Sequence, residues 1–353
     1  MKFIHCADVH LGSKMESRLP KEKADERRAE LRATFARVVE YARSNGINAI
    51  LLAGDVFDGD RPLKRDKEFF YGVVKNNPDI DFLYLRGNHD VQNSYTEKLD
   101  NLKTFSDKWT SYEYGDTTVT GIECAPENAV GMYDSLSLDP QKKNIVMLHG
   151  QVADKSGMYK VDLKKLKNRN IDYLALGHLH DFSCGKLDER GVYAYPGCTE
   201  GRGFDEIGQK GFISLDITDK AVAEFVPACC RTIHEIKADI SDCKDMYAAV
   251  CAVKKAITCG KKDMLRITLT GEAEFDTDGI EREIEKQTAR DAYFVYAVDA
   301  TTQKYDLAAV DGDISLRGEF IRTVLGEKKY DDAQKQRIIS AGLKALSGRE
   351  LEL

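Results

Sequence analysis

The sequence predicts an α/β protein: a mixed β-sandwich with flanking helices, then a small βαβαβ block and a C-terminal helical hairpin. Three observations carry this expectation. Apolar runs of strand length recur through residues 1–227, and five of them end abruptly in carboxylate, amide or imidazole side chains. Stripes of helical period alternate with the first of these runs. After Pro227 a second, shorter alternation begins, and it carries no comparable cluster of donor side chains.

In chain order, strand Lys2–Ala7 leads through a polar loop to a helix over about Lys23–Ser44, ended by Asn45-Gly46. Leu31, Phe35, Val38, Val39 and Ala42 form its apolar stripe. Strand Ala49–Ala53, a helix over Lys64–Lys75 and strand Phe82–Arg86 continue the alternation, and a helix is expected near Thr96–Phe105. Shorter strands follow at Thr117–Ile122, Asn144–Leu148, Tyr173–Leu176, Val192–Tyr195 and Gly211–Ile217. The accessory block reads as strand Thr232–Ala238, helix Asp242–Thr258, strand Leu265–Thr270, helix Gly279–Gln287 and strand Tyr293–Val298. The domains expected are therefore 1–227, 231–301 and a helical segment over 312–349. In that segment Leu316/Phe320/Ile321/Val324/Leu325 and Ile338/Ile339/Leu343/Leu346 make two apolar stripes. Such stripes need cover, from this chain or from a partner.

Composition bounds the function. The chain has 353 residues and a net charge of −7, ordinary for a globular protein of more than one unit. No run approaches the ~18 apolar residues of a membrane span, and the first residues lack the apolar core of a signal peptide. Nine cysteines without a C-x-x-C pair argue against a disulfide framework or a zinc finger. The expectation is a reduced, cytoplasmic protein with no membrane association.

The chemistry lies at the strand ends. Phe3–Ala7 runs into Asp8-Val9-His10, Ile50–Ala53 into Gly54-Asp55-Val56-Phe57-Asp58, and Phe82–Arg86 into Gly87-Asn88-His89-Asp90. Ile145–Leu148 runs into His149-Gly150, and Tyr173–Leu176 into Gly177-His178-Leu179-His180. Open α/β sheets build their sites where carboxyl ends of strands meet. A lone histidine at a strand end is more often structural, but five of the seven histidines fall in these segments. Asp8, His10, Asp55, Asn88, His149, His178 and His180 offer mixed oxygen and nitrogen donors, which suit Mn²⁺, Fe²⁺ or Zn²⁺ better than Mg²⁺ or Ca²⁺. Seven donors serve two ions if Asp55 bridges them, leaving positions for water and substrate. Such a pair activates a hydroxide and clamps the oxygens of a phosphoryl displacement. His89 alternates away from Asn88, so it is expected to stabilise charge or protonate the leaving oxygen, with Asp90 orienting its ring. Asp58 is expected to support the loop or hydrogen-bond a ligand.

These residues resemble the five ordered motifs of the calcineurin-like metallophosphoesterase superfamily. His5–Gly12, Gly54–Asp58 followed by Arg61-Pro62, and Leu176–His180 narrow the resemblance to the SbcD nuclease subunits and their shorter YhaO-like relatives. Tyr195–Glu200, Phe204-Asp205-Glu206 and Lys210-Gly211-Phe212 support the same branch. The resemblance implies Asp8, His10, Asp55 and His180 around one metal, and Asp55, Asn88, His149 and His178 around the other, with His89 as catalytic acid. It implies a Mn²⁺-dependent DNA nuclease, 3′–5′ exonucleolytic with endonuclease action, in double-strand-break repair. The βαβαβ block corresponds to a DNA-capping domain. The tail corresponds to the segment that grips the coiled-coil base of an SMC-type ATPase, SbcC-like or YhaN-like, and a homodimer is compatible with it. Some relatives carry a histidine where this chain has Asp58. The acidic net charge speaks against DNA; Arg61, Lys64, Arg65 and Lys67 beside Asp58 offset it unless they are only a solvated helix face. Alternative readings are a small-molecule phosphodiesterase or phosphatase and a non-catalytic adaptor for the ATPase.

Overall fold

A computed structural model describes residues 1–15, 18–59, 62–90, 97–303 and 312–346. Arg61, Thr96 and the final residues of the 312–349 segment lie outside the described residues. The chain divides into two compact units, Met1–Thr232 and Ile233–Leu353.

The first unit runs β1 (Lys2–Cys6), α1 (Lys21–Ser44), β2 (Ala49–Ala53), α2 (Lys64–Lys75), β3 (Asp81–Leu85), β4 (Leu102–Thr104), β5 (Thr110–Tyr114), β6 (Thr117–Gly121) and β7 (Lys143–His149). Short strands β8 (Gln151–Val152) and β9 (Lys160–Val161) and one turn of helix, α3 (Leu163–Leu166), follow. Then come β10 (Tyr173–Gly177), β11 (Ser183–Lys186), β12 (Val192–Tyr195), β13 (Gly211–Asp216) and β14 (Val222–Pro227). Among the described residues β8 and β9 pair with each other, and the other strands form two six-stranded sheets, ordered β14-β13-β1-β2-β3-β4 and β11-β12-β10-β7-β6-β5. In the first, β1 to β4 are mutually parallel. In the second, β6, β7, β10 and β12 are parallel, with antiparallel strands at the edges.

Residues of both sheets share one core, in which Phe3, Leu51, Leu83 and Leu85 meet Val119, Ile145, Met147, Tyr173 and Ala175. The sheets therefore stack as a sandwich. On the outer face of the first sheet, α1 buries the expected stripe of Leu31, Phe35, Val38, Val39 and Ala42. Phe35 meets Phe70 of α2, which meets Tyr84 of β3, with ring centroids 5.9 and 5.6 Å apart. Strand β2 is buried on both faces, which is why it reads as an unbroken run, Ala-Ile-Leu-Leu-Ala, with no polar alternation. Parallel polarity sends the carboxyl ends of β1, β2 and β3 to one edge, and those of β7 and β10 likewise in the second sheet.

The helix expected near Thr96–Phe105 is absent from the described part of that stretch. Leu102–Thr104 instead adds a parallel strand to β3. The side-chain amide of Asn101 explains the turn: it donates to the carbonyls of Val74, Asn77 and Ile80 and ties this stretch to the end of α2.

The second unit contains β15 (Ile233–Asp239), α4 (Met246–Ala256), β16 (Met264–Thr270), β17 (Glu272–Ala273), α5 (Ile280–Thr288), β18 (Phe294–Asp299) and β19 (Thr302–Gln303). Strands β15, β16 and β18 are parallel, and both helices pack with Leu265, Ile267 and Leu269 of the central strand in one core. Helices α6 (Leu316–Gly326) and α7 (Asp332–Leu346) form the hairpin. Ile321, Val324 and Ile339 are its buried centre, with Phe320, Leu325, Ile338 and Leu343 around them. The two stripes thus cover each other in large part. Leu316 and Leu346, counted in those stripes, are 69% and 48% exposed.

Candidate metal centre

The loops after β1 and β2 are laced together before any side chain is considered. Asp8 N–H donates to Gly54 O (3.0 Å), His10 N–H to Asp55 O (3.0 Å) and Leu11 N–H to Val56 O (2.8 Å). Bending two strand ends this tightly puts Asp8, His10 and Asp55 at φ of 51°, 49° and 53°, and His178 at the end of β10 at 102°. Left-handed backbone at non-glycine residues is uncommon and clusters at functional sites. Glycine is required beside them. A Cβ on Gly54 would lie 2.1 Å from His149 Nδ1, and one on Gly87 would lie 2.2 Å from Asp55 Oδ1.

The side chains converge across the two sheets. His149 Nε2 lies 3.3 Å from Asp55 Oδ2 and 3.0 Å from Asn88 Oδ1. His178 Nδ1 is 2.9 Å from the same amide oxygen. His10 Nε2 lies 4.0 Å from Asp55 Oδ2 and 3.3 Å from His180 Nε2, which is 3.8 Å from Asp8 Oδ1. Donor atoms of Asp8, His10 and His180 fall within 4.8 Å of one another, as do those of Asp8, Asp55 and His149. All seven sequence-derived candidates are thus gathered at one place, with Asp55 touching both groups.

This donor set fits divalent cations. His149 Nδ1 is 2.9 Å from Ala53 O and His180 Nδ1 is 2.7 Å from Glu206 Oε1. These acceptors favour the N–H on each Nδ1, although Arg202 Nη2 also lies 3.2 Å from that of His180, and leave each Nε2 lone pair facing oxygen or nitrogen atoms of the cluster. Lone pairs opposed at about 3 Å repel unless positive charge lies between them. The ionisation of the cluster says the same. Burial pushes the Asp8 carboxyl up to about 7, with Asp55 adding to it and the imidazoles opposing. Burial disfavours the charged His149 ring, yet its bond to Asp55 and the carboxylates around it draw it up to about 9. Burial likewise works against ionised Asp55, but His149 brings it down to about 2. Protons gather where cations would be held.

His89 lies beside this cluster, its side chain 44% exposed and its backbone N–H donating to Asp55 Oδ1 (2.8 Å). Asp90 does not orient it. The Asp90 carboxylate accepts the N–H groups of Val56, Phe57 and Gly87 (3.2, 2.9 and 3.1 Å) and braces the loop from beneath. The carboxylate at the His89 ring is Asp58, whose Oδ1 is 3.2 Å from Nδ1 of His89 and 3.4 Å from Nδ1 of His10. That contact raises the His89 pKa, and the two imidazoles hold Asp58 well below the usual carboxylate range despite its burial. Sequence reasoning gave no role to Glu206 or Arg202. Glu206 holds His180, and Arg202 donates to Glu206 and lies 3.9 Å from Asp58. Tyr159 was missed too: its ring stacks on His178 at 6.5 Å and meets His149 edge-on at 6.0 Å. Asp58 and Glu206 were visible as parts of motifs. Nothing in the spacing around Tyr159 announced it.

The family model described as calcineurin-like phosphoesterase matches residues 1–182, more than half of the chain. The chain belongs to the calcineurin-like phosphoesterase family. This family uses a dinuclear divalent metal site, and the gathered donors lie in the matched region or within it. Two similar relatives carry the name DNA double-strand break repair protein Mre11. The one from Sulfurisphaera tokodaii is 27% identical over 203 residues, 53% of this chain and 51% of that protein. The one from Aeropyrum pernix is 27% identical over 277 residues, 70% of this chain and 66% of that protein. A third, the uncharacterized metallophosphoesterase YhaO of Bacillus subtilis, is 27% identical over 300 residues, 77% of this chain and 72% of that protein. The chain thus spans half to two thirds of the two repair proteins. Among the described residues no helix is long and apolar enough to cross a membrane.

Proposed function

We propose that this chain is a metal-dependent DNA phosphodiesterase, the nuclease subunit of an SbcCD-like double-strand-break repair complex. The observation that carries the chemistry is the position of Asp55, in reach of His10 on one side and His149 on the other. Asp8, His10, Asp55 and His180 would hold one ion, and Asp55, Asn88, His149 and His178 the other. Mn²⁺ is the ion proposed, ahead of Fe²⁺ or Zn²⁺, because the set mixes imidazole with oxygen donors. A bound dinuclear pair supplies an activated water at neutral pH and neutralises charge on the reacting phosphate. The remaining work falls to side chains. His89, held through Nδ1 by Asp58, presents its Nε2 to the leaving oxygen and delivers the proton. Tyr159 walls the site beside His178 and restricts how a substrate lies against it.

DNA as substrate, 3′–5′ exonuclease action with endonuclease action, and an SMC-type ATPase partner of SbcC or YhaN type rest on the named relatives and on the motifs quoted above. Capping of DNA by 231–301, docking of 312–349 on the ATPase, homodimer formation and a cytoplasmic location belong to the same proposal. The net charge of −7 favours a rival, a phosphodiesterase for small molecules. One experiment separates them. The purified chain with Mn²⁺ is given end-labelled duplex DNA and, in parallel, bis-p-nitrophenyl phosphate. Cleavage of both supports the nuclease; cleavage of the small ester alone, with and without the ATPase, supports the rival.

A further inference from the structure

His180 is not held by its own strand end alone. Its Nδ1 donates to Glu206, and Arg202 secures that carboxylate through its backbone N–H (2.6 Å) and its guanidinium (2.8 and 3.1 Å). The loop carrying Arg202 is fixed in turn by α1. Arg27, fully buried, donates from Nη2 to Glu200 Oε1 (2.8 Å) and to Gly201 O (2.6 Å). Glu200 also accepts the backbone N–H of Cys230 (2.6 Å), close to the end of the first unit at Thr232. From there Arg231 turns back to Glu30 on α1 (2.6 and 3.1 Å), and Glu30 accepts from Arg27. Two polar clusters, joined by the backbone of Glu200–Arg202, therefore connect Arg231, near the end of the first unit, to the ring of a candidate metal ligand.

Two features make this more than a fold-stabilising cluster. Arg27, Glu200 and Glu206 are buried, and the side chains of Arg231 and Glu30 are only 12% and 14% exposed, so exchanging a partner for water is costly and a shift at one end is passed along more than it is absorbed. The network also ends at one proposed ion site, on the His180 ring through Glu206 and beside the His10 ring through Arg202 and Asp58. The other site, with His149 braced on Ala53 O, stands outside these contacts. We propose that Arg231, acting through Arg27, Glu200 and Glu206, is a positioning residue for His180, so the segment leaving the first unit sets the affinity of one ion site and not the other. This rests on the reading of His180 as a metal ligand.

The test is a double-mutant cycle in the full chain, with Mn²⁺ binding followed by calorimetry. Glu206→Gln is expected to weaken one of two binding steps about 10-fold. Arg231→Gln is expected to weaken that same step about 3-fold. The double variant should match Glu206→Gln within about 2-fold, because the effect of Arg231 is proposed to reach the ring through Glu206. Arg231→Lys, which keeps the charge but not the two-nitrogen contact with Glu30, should fall between the wild type and Arg231→Gln. Additive losses in the double variant, equal weakening of both steps, or no change in Arg231→Gln would each overturn the proposal. If Arg231→Gln does not fold, Arg27→Lys, which keeps the buried charge, takes its place in the cycle with the same expectations. A metal-free arm reads the His180 ring by ¹⁵N NMR. The Nδ1-bound proton should be fixed in the wild type and averaged in both single variants; an unchanged ring also overturns the inference. If the wild type binds no divalent ion, the metal reading falls and the ring signal alone decides the positioning role.

Discussion

The Asp58 carboxylate sits 3.2 Å from Nδ1 of His89 and 3.4 Å from Nδ1 of His10, so one acid steadies both a proposed proton donor and a proposed metal ligand. Replacing it with an amide removes the charge while keeping the shape. Asp58→Asn should lower kcat by roughly 10²-fold, the scale of positioned acid catalysis. The pH profile should move as well. Asp58 raises the His89 pKa, and a proton donor loses activity as pH rises through that pKa. The alkaline limb of the variant should therefore lie at lower pH than that of the wild type. A limb that stays in place would separate Asp58 from His89.

His89→Ala tests the division of labour. Hydrolysis should fall by about 10²–10⁴-fold, while elemental analysis still finds two metals per chain. Metal content that falls together with activity would make His89 a ligand.

Asp55→Asn should damage both proposed ion sites, because a neutral amide leaves two dications repelling each other across a short gap. Asp8→Ala or His10→Ala should mainly empty one. Calorimetric titration with Mn²⁺ distinguishes these outcomes, and loss of a single step in Asp55→Asn would refute the bridge.

His5 makes a prediction about acid stability. It is fully buried, its Nδ1 is 2.8 Å from the Tyr173 hydroxyl, and burial pushes its pKa down to about 3. The folded chain holds it neutral, whereas the unfolded chain protonates it near pH 6.5. Its contribution is intact above about 6.5 and is lost as pH falls below that, by about 1.4 kcal/mol per pH unit. Denaturant titrations at pH 7, 6 and 5 should show a shallower acid slope for His5→Gln than for the wild type. Equal slopes would mean that other groups set the acid limit.

Deleting the chain from residue 312 should preserve Mn²⁺-dependent cleavage of a simple phosphodiester and abolish pull-down of an SbcC-like ATPase. Because Ile321, Val324 and Ile339 pack on one another, the hairpin carries a small centre of its own. Exposed Leu316 and Leu346 remain for a partner to cover. A truncated chain that loses the simple activity would assign the helices to this chain's own stability.

Much of the site was legible because the grammar of a parallel strand is local. A buried run such as Ile50–Ala53 must end at a turn, and polar side chains at that turn must face a common edge. Contacts between loops were not legible. Asp90 follows His89 in the chain, and adjacency suggests a partner for the ring, but a carboxylate amid three backbone N–H groups satisfies them first. Glu206 lies 26 residues from His180 in sequence, a distance no periodicity spans. The false helix near Thr96–Phe105 failed similarly, since the three carbonyls that claim Asn101 come from another stretch of chain.

The left-handed backbone at Asp8, His10, Asp55 and His178 has an evolutionary consequence. Glycine is the residue at ease in that region, and each of these positions gives up roughly 1 kcal/mol or more by not being glycine. Four places in this chain thus stand where selection for stability alone would erase the donor atoms. A lineage freed from the chemistry should drift there first, keeping the sandwich and losing the side chains. Glycines at positions 8, 10, 55 or 178 in an otherwise similar chain would mark a descendant that kept the scaffold and abandoned the ions.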